Sequence, residues 1–506
     1  MRALAGSRAL VLVAPHGGRR DYERRPWGSA PLKVNDLHTA SLTEELAAAT
    51  GAAALINDDL DRNDTDFNRL AAAHERSPEF LQALADLLSD ALARHGRATV
   101  LTIHGWNVIQ PVVDLGFGCA AGTPVGPAAA VSPAFATEAL PAFVDACGAR
   151  GIVATAGARY PARGRENLIQ LFTPRYREDP RPLVRHLAAL GAQANAMQLE
   201  LGVPLRWPGS WRRRLVDACT ASLPAFLTNG ASQATPPTAS LSRASRQRRH
   251  TLEIAAEGAS GLVTVDTTGG RLLLFPPADG LVLFTGERTG GEEPGRVGGL
   301  RVEAGTPGKV HVRFTGPMLR FPDTTAFLDL ERGLSRAVLV EHADVALDFT
   351  PNHPDGTERP EFGVVGGRAT LDGRTLELNG RGFASTGGDP GPWPRVRAAL
   401  DLGRGGQLSL MVDLGTSVAS GFLCRGDEHV AVVRARARLG RGDDPLAGFR
   451  LDVELAGGQR LELEPCPVHR LPVVRGGGPV PVRLVYASCR LPGVDGPAGW
   501  CEIGGI

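Results

Sequence analysis

His16, Asp36, His104 and Glu200 are the residues whose types could do chemistry together. Two imidazoles and a carboxylate make a ligand set for a divalent ion, and a catalytic zinc site has three protein ligands and an open position for water. Such a site also needs a carboxylate base, because the ion lowers the water's pKa only towards neutrality and the proton must still leave. The four residues are far apart in the chain, so the reading depends on the elements that carry them.

His16 ends the run Val11-Leu12-Val13-Ala14-Pro15-His16-Gly17-Gly18, which reads as a buried strand entering a Gly-rich loop. Thr99-Val100-Leu101-Thr102-Ile103 is a second buried run, and it delivers His104-Gly105-Trp106-Asn107 at its end. Ligands of open α/β sheets bind outside the carboxyl ends of strands, so a parallel sheet sets both imidazoles along one rim. Asp36 opens a helix that stops at Thr50-Gly51; the alternative is that Asn35 or Asp36 serves only as its N-cap. Residues 196–201 read as a late strand holding Glu200 in an apolar setting, where a carboxylate needs a partner or a task.

Further elements complete an α/β pattern over residues 1 to about 225. Residues 52–56 and 152–156 read as strands, 78–95 and 136–150 as helices, and 182–192 as helical or irregular. Asp114 to Gly118 reads as a loop. The acidic stretch 57–69 lacks the central Gly and closing Glu of a calcium loop, so Asp58, Asp59, Asp61 and Asp64 read as solvated. His38, His74 and His95 read as surface residues, and Trp106 as pocket wall or core. Cys119, Cys147 and Cys219 read as small apolar packing groups.

The chain has 506 residues, enough for two or three domains. A net charge of +1 gives no reason to expect nucleic acid or a membrane surface as partner. Seven cysteines without a CxxC pair point to a reducing compartment, and no stretch approaches a transmembrane span. A cytoplasmic protein is expected.

The order of motifs resembles the N-formylglutamate amidohydrolase family, relatives of zinc carboxypeptidases and aspartoacylases. The resemblance covers residues 9 to about 212 and rests on five pieces: Pro15-His16-Gly17-Gly18, Asp36-Leu37-His38, Asp66-Phe67-Asn68-Arg69, Ile103-His104-Gly105 and Gln198-Leu199-Glu200-Leu201. It implies a phosphorylase/hydrolase-like mixed sheet with flanking helices. It also implies one zinc ion on His16, Asp36 and His104, and Glu200 as general base and proton shuttle. By the same resemblance Arg69 clamps a substrate carboxylate, a task suited to a bidentate guanidinium. Asn68 assists Arg69, Asp66 orients the loop, and Arg185-His186 polarises and binds at the scissile carbonyl. Two departures stand out. Thr102 lies where the family often has an Asp before its His, which removes a partner for that imidazole. Glu200 is followed by Leu201-Gly202-Val203-Pro204-Leu205-Arg206 instead of the family's Asn-Arg-x-Leu-Tyr.

Residues 229–249 read as a linker ending in a basic run. From residue 250 the pattern changes to short alternating strands, with Asp372-Gly373 and Gly457-Gly458 as hairpin turns. This predicts an all-β barrel or sandwich, possible in tandem, over 250–506. Arg434, Arg436 and Arg438 share one strand face, with Val433, Ala435 and Ala437 on the other. The segment 498–504 faintly resembles the end of lipocalin-like carotenoid-hydratase relatives, and the barrel-like strand count implies an apolar ligand or a partner for this half. The leading expectation is a metal-dependent amidohydrolase acting on a small N-acyl amino acid or related amide bearing a carboxylate. The alternative is a non-enzymatic binding protein with a degenerate hydrolase half and a β-barrel carrier half.

Overall fold

The computed structural model describes residues 1–20, 32–119, 129–227, 249–256, 259–276, 280–289, 292–305, 308–322, 330–352, 361–387, 395–416, 418–425, 428–440, 447–475, 482–494 and 499–504. These fall into two compact units, one holding the described residues up to 227 and the other nearly all of those from 249 on. Most of the expected linker, 229–248, lies outside the described residues.

The amino-terminal unit is a seven-stranded mixed sheet. Its strands are β1 (Arg2–Leu4), β2 (Leu10–Ala14), β3 (Ala53–Ile56), β4 (Ala98–Trp106), β5 (Val112–Gly116), β6 (Val153–Ala156) and β7 (Ala194–Gly202), ordered β1-β3-β2-β4-β7-β5-β6. β2 runs parallel to β3 and β4, and β4 parallel to β7, whereas β1 and β5 run against their neighbours. Residues 112–116 are therefore a strand and not the loop that Asp114 suggested. An Asp is tolerated there because its carboxylate accepts from Thr155 Oγ1 at 2.7 Å and from the amides of Ala158, Arg159 and Tyr160 at 3.0, 2.8 and 2.5 Å.

Helices cover both faces. α1 (Thr39–Thr50), α4 (Pro133–Gly148) and α7 (Ser210–Leu227) pack on one side with Leu101, Ile103, Leu199 and Leu201. α3 (Pro78–His95) and α5 (Pro182–Gly191) pack on the other with Ala98, Val100 and Ala196. α3 begins with Pro78 and ends at Gly96 in the left-handed region (φ 67), the asymmetry expected of helix ends. α1 is capped by His38 at φ 67, so Asp36 lies before the helix and is not its N-cap. Along β4 and β7 the even-numbered face is apolar at the start (Ala98, Val100, Ala196) and polar at the end (Thr102, His104, Gln198, Glu200). That switch sets the chemistry at the carboxyl ends of the strands.

In the second unit the strand Leu281–Glu287 leads through Gly269–Phe275, Ser260–Val265, Arg249–Ala256, Gly380–Gly387, Glu361–Leu371 and Val338–Pro351 to Val310–Phe321. Leu281 pairs with Phe321, so this hydrogen-bonded path returns to its start. A second, nine-stranded path includes Arg395–Asp401, Gln407–Asp413, Glu428–Arg438 and Gly499–Gly504. Asp372 and Gly373, at φ 46 and 86, turn a tight hairpin between Leu371 and its partner Arg374. Val433 is 64% exposed instead of facing the core with Ala435, because the register shifts between Val432 and Arg434. No helix among the described residues is long and apolar enough to cross a membrane.

Candidate metal centre

His16 leaves β2 on a loop that must pass close to residues 57–60: a Cβ on Gly18 would lie 1.9 Å from the Leu60 carbonyl oxygen. The Asp36 amide donates to the His16 carbonyl at 2.8 Å, which sets the carboxylate beside the ring. His104 reaches the same point from β4. His16, Asp36 and His104 are 1, 3 and 2% exposed, and their ligand atoms lie within 4.8 Å of one another. The Nδ1 atoms of His16 and His104 both face Asp36 Oδ2, at 3.2 and 3.3 Å.

The donor set fits a divalent ion. Asp66 Oδ1 lies 2.7 Å from His16 Nε2, a carboxylate–imidazole pair that favours the proton on Nε2. A neutral His16 then turns an Nδ1 lone pair towards a carboxylate oxygen, an arrangement that a cation between them satisfies. His104 Nε2 is buried with no hydrogen-bond partner among the described residues. Burial opposes the charge on Asp36, yet the Arg62 guanidinium 3.0 Å away and the two imidazoles outweigh it and hold that carboxyl well below the usual range. Asp66 is likewise held low: burial is outweighed by His16, by Lys33 at 2.9 Å and by Arg62.

Glu200 stands in register with His104 on one side and Asp114 on the other. It is 9% exposed, and burial pushes its carboxyl from 4.5 up to about 7, with Asp36 and Asp114 adding to the shift against His104 and Arg62. The metal-free folded state therefore binds more protons than the unfolded chain between these two values. The contribution of Glu200 to stability is fully present below pH 4.5 and is lost as pH rises through about 7, by about 3 kcal/mol for a fully buried group. Urea unfolding of the metal-free protein at pH 5 and pH 8 checks this: Glu200→Gln should remove the Glu200 share of the pH dependence and leave the opposing share of His38, whose lowered pKa disfavours the folded state below about 6.5.

Some functional residues were not visible in the sequence. Arg206 is fully buried and donates to the carbonyls of Leu201, Leu37 and Trp106 at 3.1, 2.9 and 3.3 Å, and to Asn107 Oδ1 at 3.0 Å. Burial lowers its pKa to about 10, against the pull of Asp36 and Glu200. Gly105 is required by this packing, since a Cβ there would lie 2.5 Å from Arg206 Nη1 and 3.0 Å from Asp36 Cβ. Gly105→Ala is expected to destabilise the protein by about 1–3 kcal/mol and to weaken metal binding, checked by thermal melting and metal titration.

Several expectations need correction. His38 is half-buried: its ring lies tilted against Trp207 with centroids 4.4 Å apart, and burial with the Arg206 and Arg212 charges lowers its pKa to about 4. Asp61 is not solvated but 7% exposed, accepting from Asn35 and Asn63 side chains at 2.9 and 2.7 Å. Asp66 holds the His16 ring as well as its own loop. Asn68 Oδ1 accepts from the Leu168 amide at 3.1 Å. Arg69 is exposed on the loop beside Asp66. Arg185 and His186 are exposed on α5, and the Arg185 guanidinium donates to the Asp179 carbonyl at 2.8 Å; neither joins the buried cluster. Trp106 is 7% exposed and meets Tyr160 edge-on at 5.6 Å. Cys147 and Cys219 are buried with thiol pKa values pushed up by burial, as packing groups require.

Fold and site define a two-unit chain: an α/β unit with a buried His-Asp-His cluster at the carboxyl ends of its strands, and a β-rich unit. No protein-family model and no curated protein sequence matches it. Among the solved structures to which the chain is similar are three of low identity. N-formylglutamate amidohydrolase from Ralstonia eutropha JMP134 is 13% identical over 44% of this chain and 95% of its own, with a TM-score of 0.30. CghA is 12% identical over 52% of this chain and 88% of its own, with a TM-score of 0.28. Kievitone hydratase from Nectria haematococca is 10% identical over 51% of this chain and 88% of its own, with a TM-score of 0.27.

Proposed function

We propose that the amino-terminal unit is a zinc-dependent amidohydrolase that cleaves the amide of a small N-acyl amino acid or a related amide bearing a carboxylate. The observation that carries this reading is the convergence of two Nδ1 atoms on one buried carboxylate oxygen, with a buried Glu in register beside them. Zinc held by His16, Asp36 and His104 would supply Lewis acidity and a water of lowered pKa. Glu200, poised near neutrality, takes the proton of the attacking water and returns it to the leaving nitrogen. Asp66 keeps the His16 ring oriented, and Arg62 keeps Asp36 ionised. Arg69, exposed on the adjoining loop, binds the substrate carboxylate.

The test is metal analysis of the purified protein together with turnover of N-formyl and N-acetyl derivatives of glutamate, aspartate and leucine. One zinc per chain and hydrolysis of at least one derivative are expected. No zinc and no turnover would favour the reading as a non-enzymatic binding protein. For the second unit we propose a lipocalin-like carrier of an apolar ligand. The strand path that closes on itself through Leu281 and Phe321 supports this, and a ligand screen on the full chain tests it. The seven free cysteines suit a cytoplasmic location.

A further inference from the structure

The proposed mechanism leaves unused a set of hydrogen bonds behind Glu200. Gln198 Nε2 donates to Glu200 Oε1 at 2.6 Å, and Gln198 is 3% exposed. Gln198 Oε1 accepts from Asn167 Nδ2 at 3.0 Å. Asn167 Oδ1 in turn accepts from the Ile169 amide at 2.9 Å, capping the short helix Leu168–Phe172. Each amide oxygen is thus committed to a donor, which fixes the Gln198 amide with its nitrogen towards the Glu200 carboxylate.

The same segment is tied to the loop that carries Arg69. The Leu168 amide donates to Asn68 Oδ1, the Leu70 amide to the Glu166 carbonyl at 2.9 Å, and the Ala71 amide to Glu166 Oε2 at 2.9 Å. The Asn68 amide donates to Asp66 Oδ1 at 3.2 Å, the oxygen that also faces His16. A continuous run of polar contacts therefore links His16 to Glu200 through residues 66–68 and 167–168 and Gln198.

We infer that Gln198 and Asn167 are positioning residues that hold Oε1 of Glu200 and tie this base to the loop bearing Arg69. The inference rests on Glu200 being the base. With Oε1 occupied by the Gln198 donor, Oε2 is the oxygen left to receive a proton, and rotation of the carboxylate is restrained. Asn167 acts one step further back, by dictating which end of the Gln198 amide faces Glu200.

Two substitutions test this in the full chain. Gln198→Met keeps length and removes the donor. Asn167→Asp keeps the acceptor for Ile169 and removes the donor to Gln198, so the Gln198 amide turns and presents its oxygen to Glu200. Both variants are expected to lose about tenfold to a hundredfold in kcat, with KM and zinc content unchanged. A kcat within twofold of the parent, or a loss of kcat matched by loss of zinc, overturns the inference. A second measurement does not need turnover. The Gln198 side-chain amide signal in the NMR spectrum, assigned by its disappearance in Gln198→Met, should shift in both Glu200→Gln and Asn167→Asp. No shift in either variant overturns the inference even if the parent protein proves inactive. A shift together with an inactive, zinc-free parent upholds the contact and sinks the amidohydrolase reading instead.

Discussion

Glu200→Gln is expected to retain one zinc per chain and to lose about 10²–10⁴-fold in kcat, the usual contribution of a general acid–base group. The change is isosteric, and a carboxamide cannot take a proton from water. Unfolding does not account for such a loss, because the burial that raises the Glu200 pKa to about 7 penalises the charged carboxylate and not a neutral amide. Above pH 7 the variant should be at least as stable as the parent. Steady-state kinetics beside metal analysis check the result. Wild-type turnover by Glu200→Gln would remove Glu200 from the mechanism.

His104→Ala is expected to lose both the metal and the activity. It deletes one of the two Nδ1 atoms that face Asp36 Oδ2, leaving two of the three ligands. Zinc affinity should fall more than about a hundredfold, beyond the 10–100-fold that follows when only an outer partner of a ligand is removed. Asp66→Asn gives the comparison: it leaves the three ligands in place and weakens the hold on His16 Nε2 together with the Lys33 ion pair, so the smaller loss is expected there. Competition against a chromogenic chelator ranks the three proteins. Equal affinity in His104→Ala and the parent would show that the cluster does not bind the ion.

What could be read from the sequence was whatever a local pattern encodes. The runs before His16 and His104 are short and apolar and end in Gly, and both imidazoles sit at the carboxyl ends of adjacent parallel strands. Pro78 and Gly96 bracket α3 by the ordinary preferences of helix ends. What was missed depends on partners distant in the chain. Asp114 reads as a loop residue until the amides of residues 158–160 are seen to satisfy it. Asp61 reads as solvated until Asn35 closes on it. Arg206 reads as an ordinary polar residue, and only the carbonyls of Leu37 and Trp106 reveal its place. In the second unit the strand Arg395–Asp401 was hidden by its charges. Val396, Ala398 and Leu400 form its buried apolar face, while Arg397 reaches Glu253 at 2.8 Å and Arg395 lies 4.0 Å from Glu502, pairings with distant residues that the local pattern does not announce.

The arrangement of Arg206 has a consequence for how the centre is assembled. Its donors engage the backbone near Asp36, His104 and Glu200 rather than any ligand atom, so the strand ends are fastened together by the chain itself. This differs from small zinc domains, in which the ion templates the fold. If the proposed zinc site is right, the socket needs no ion to hold its shape, and the metal-free protein should keep its far-UV circular dichroism when zinc is removed. Exchanging one transition ion for another should then leave the scaffold undisturbed.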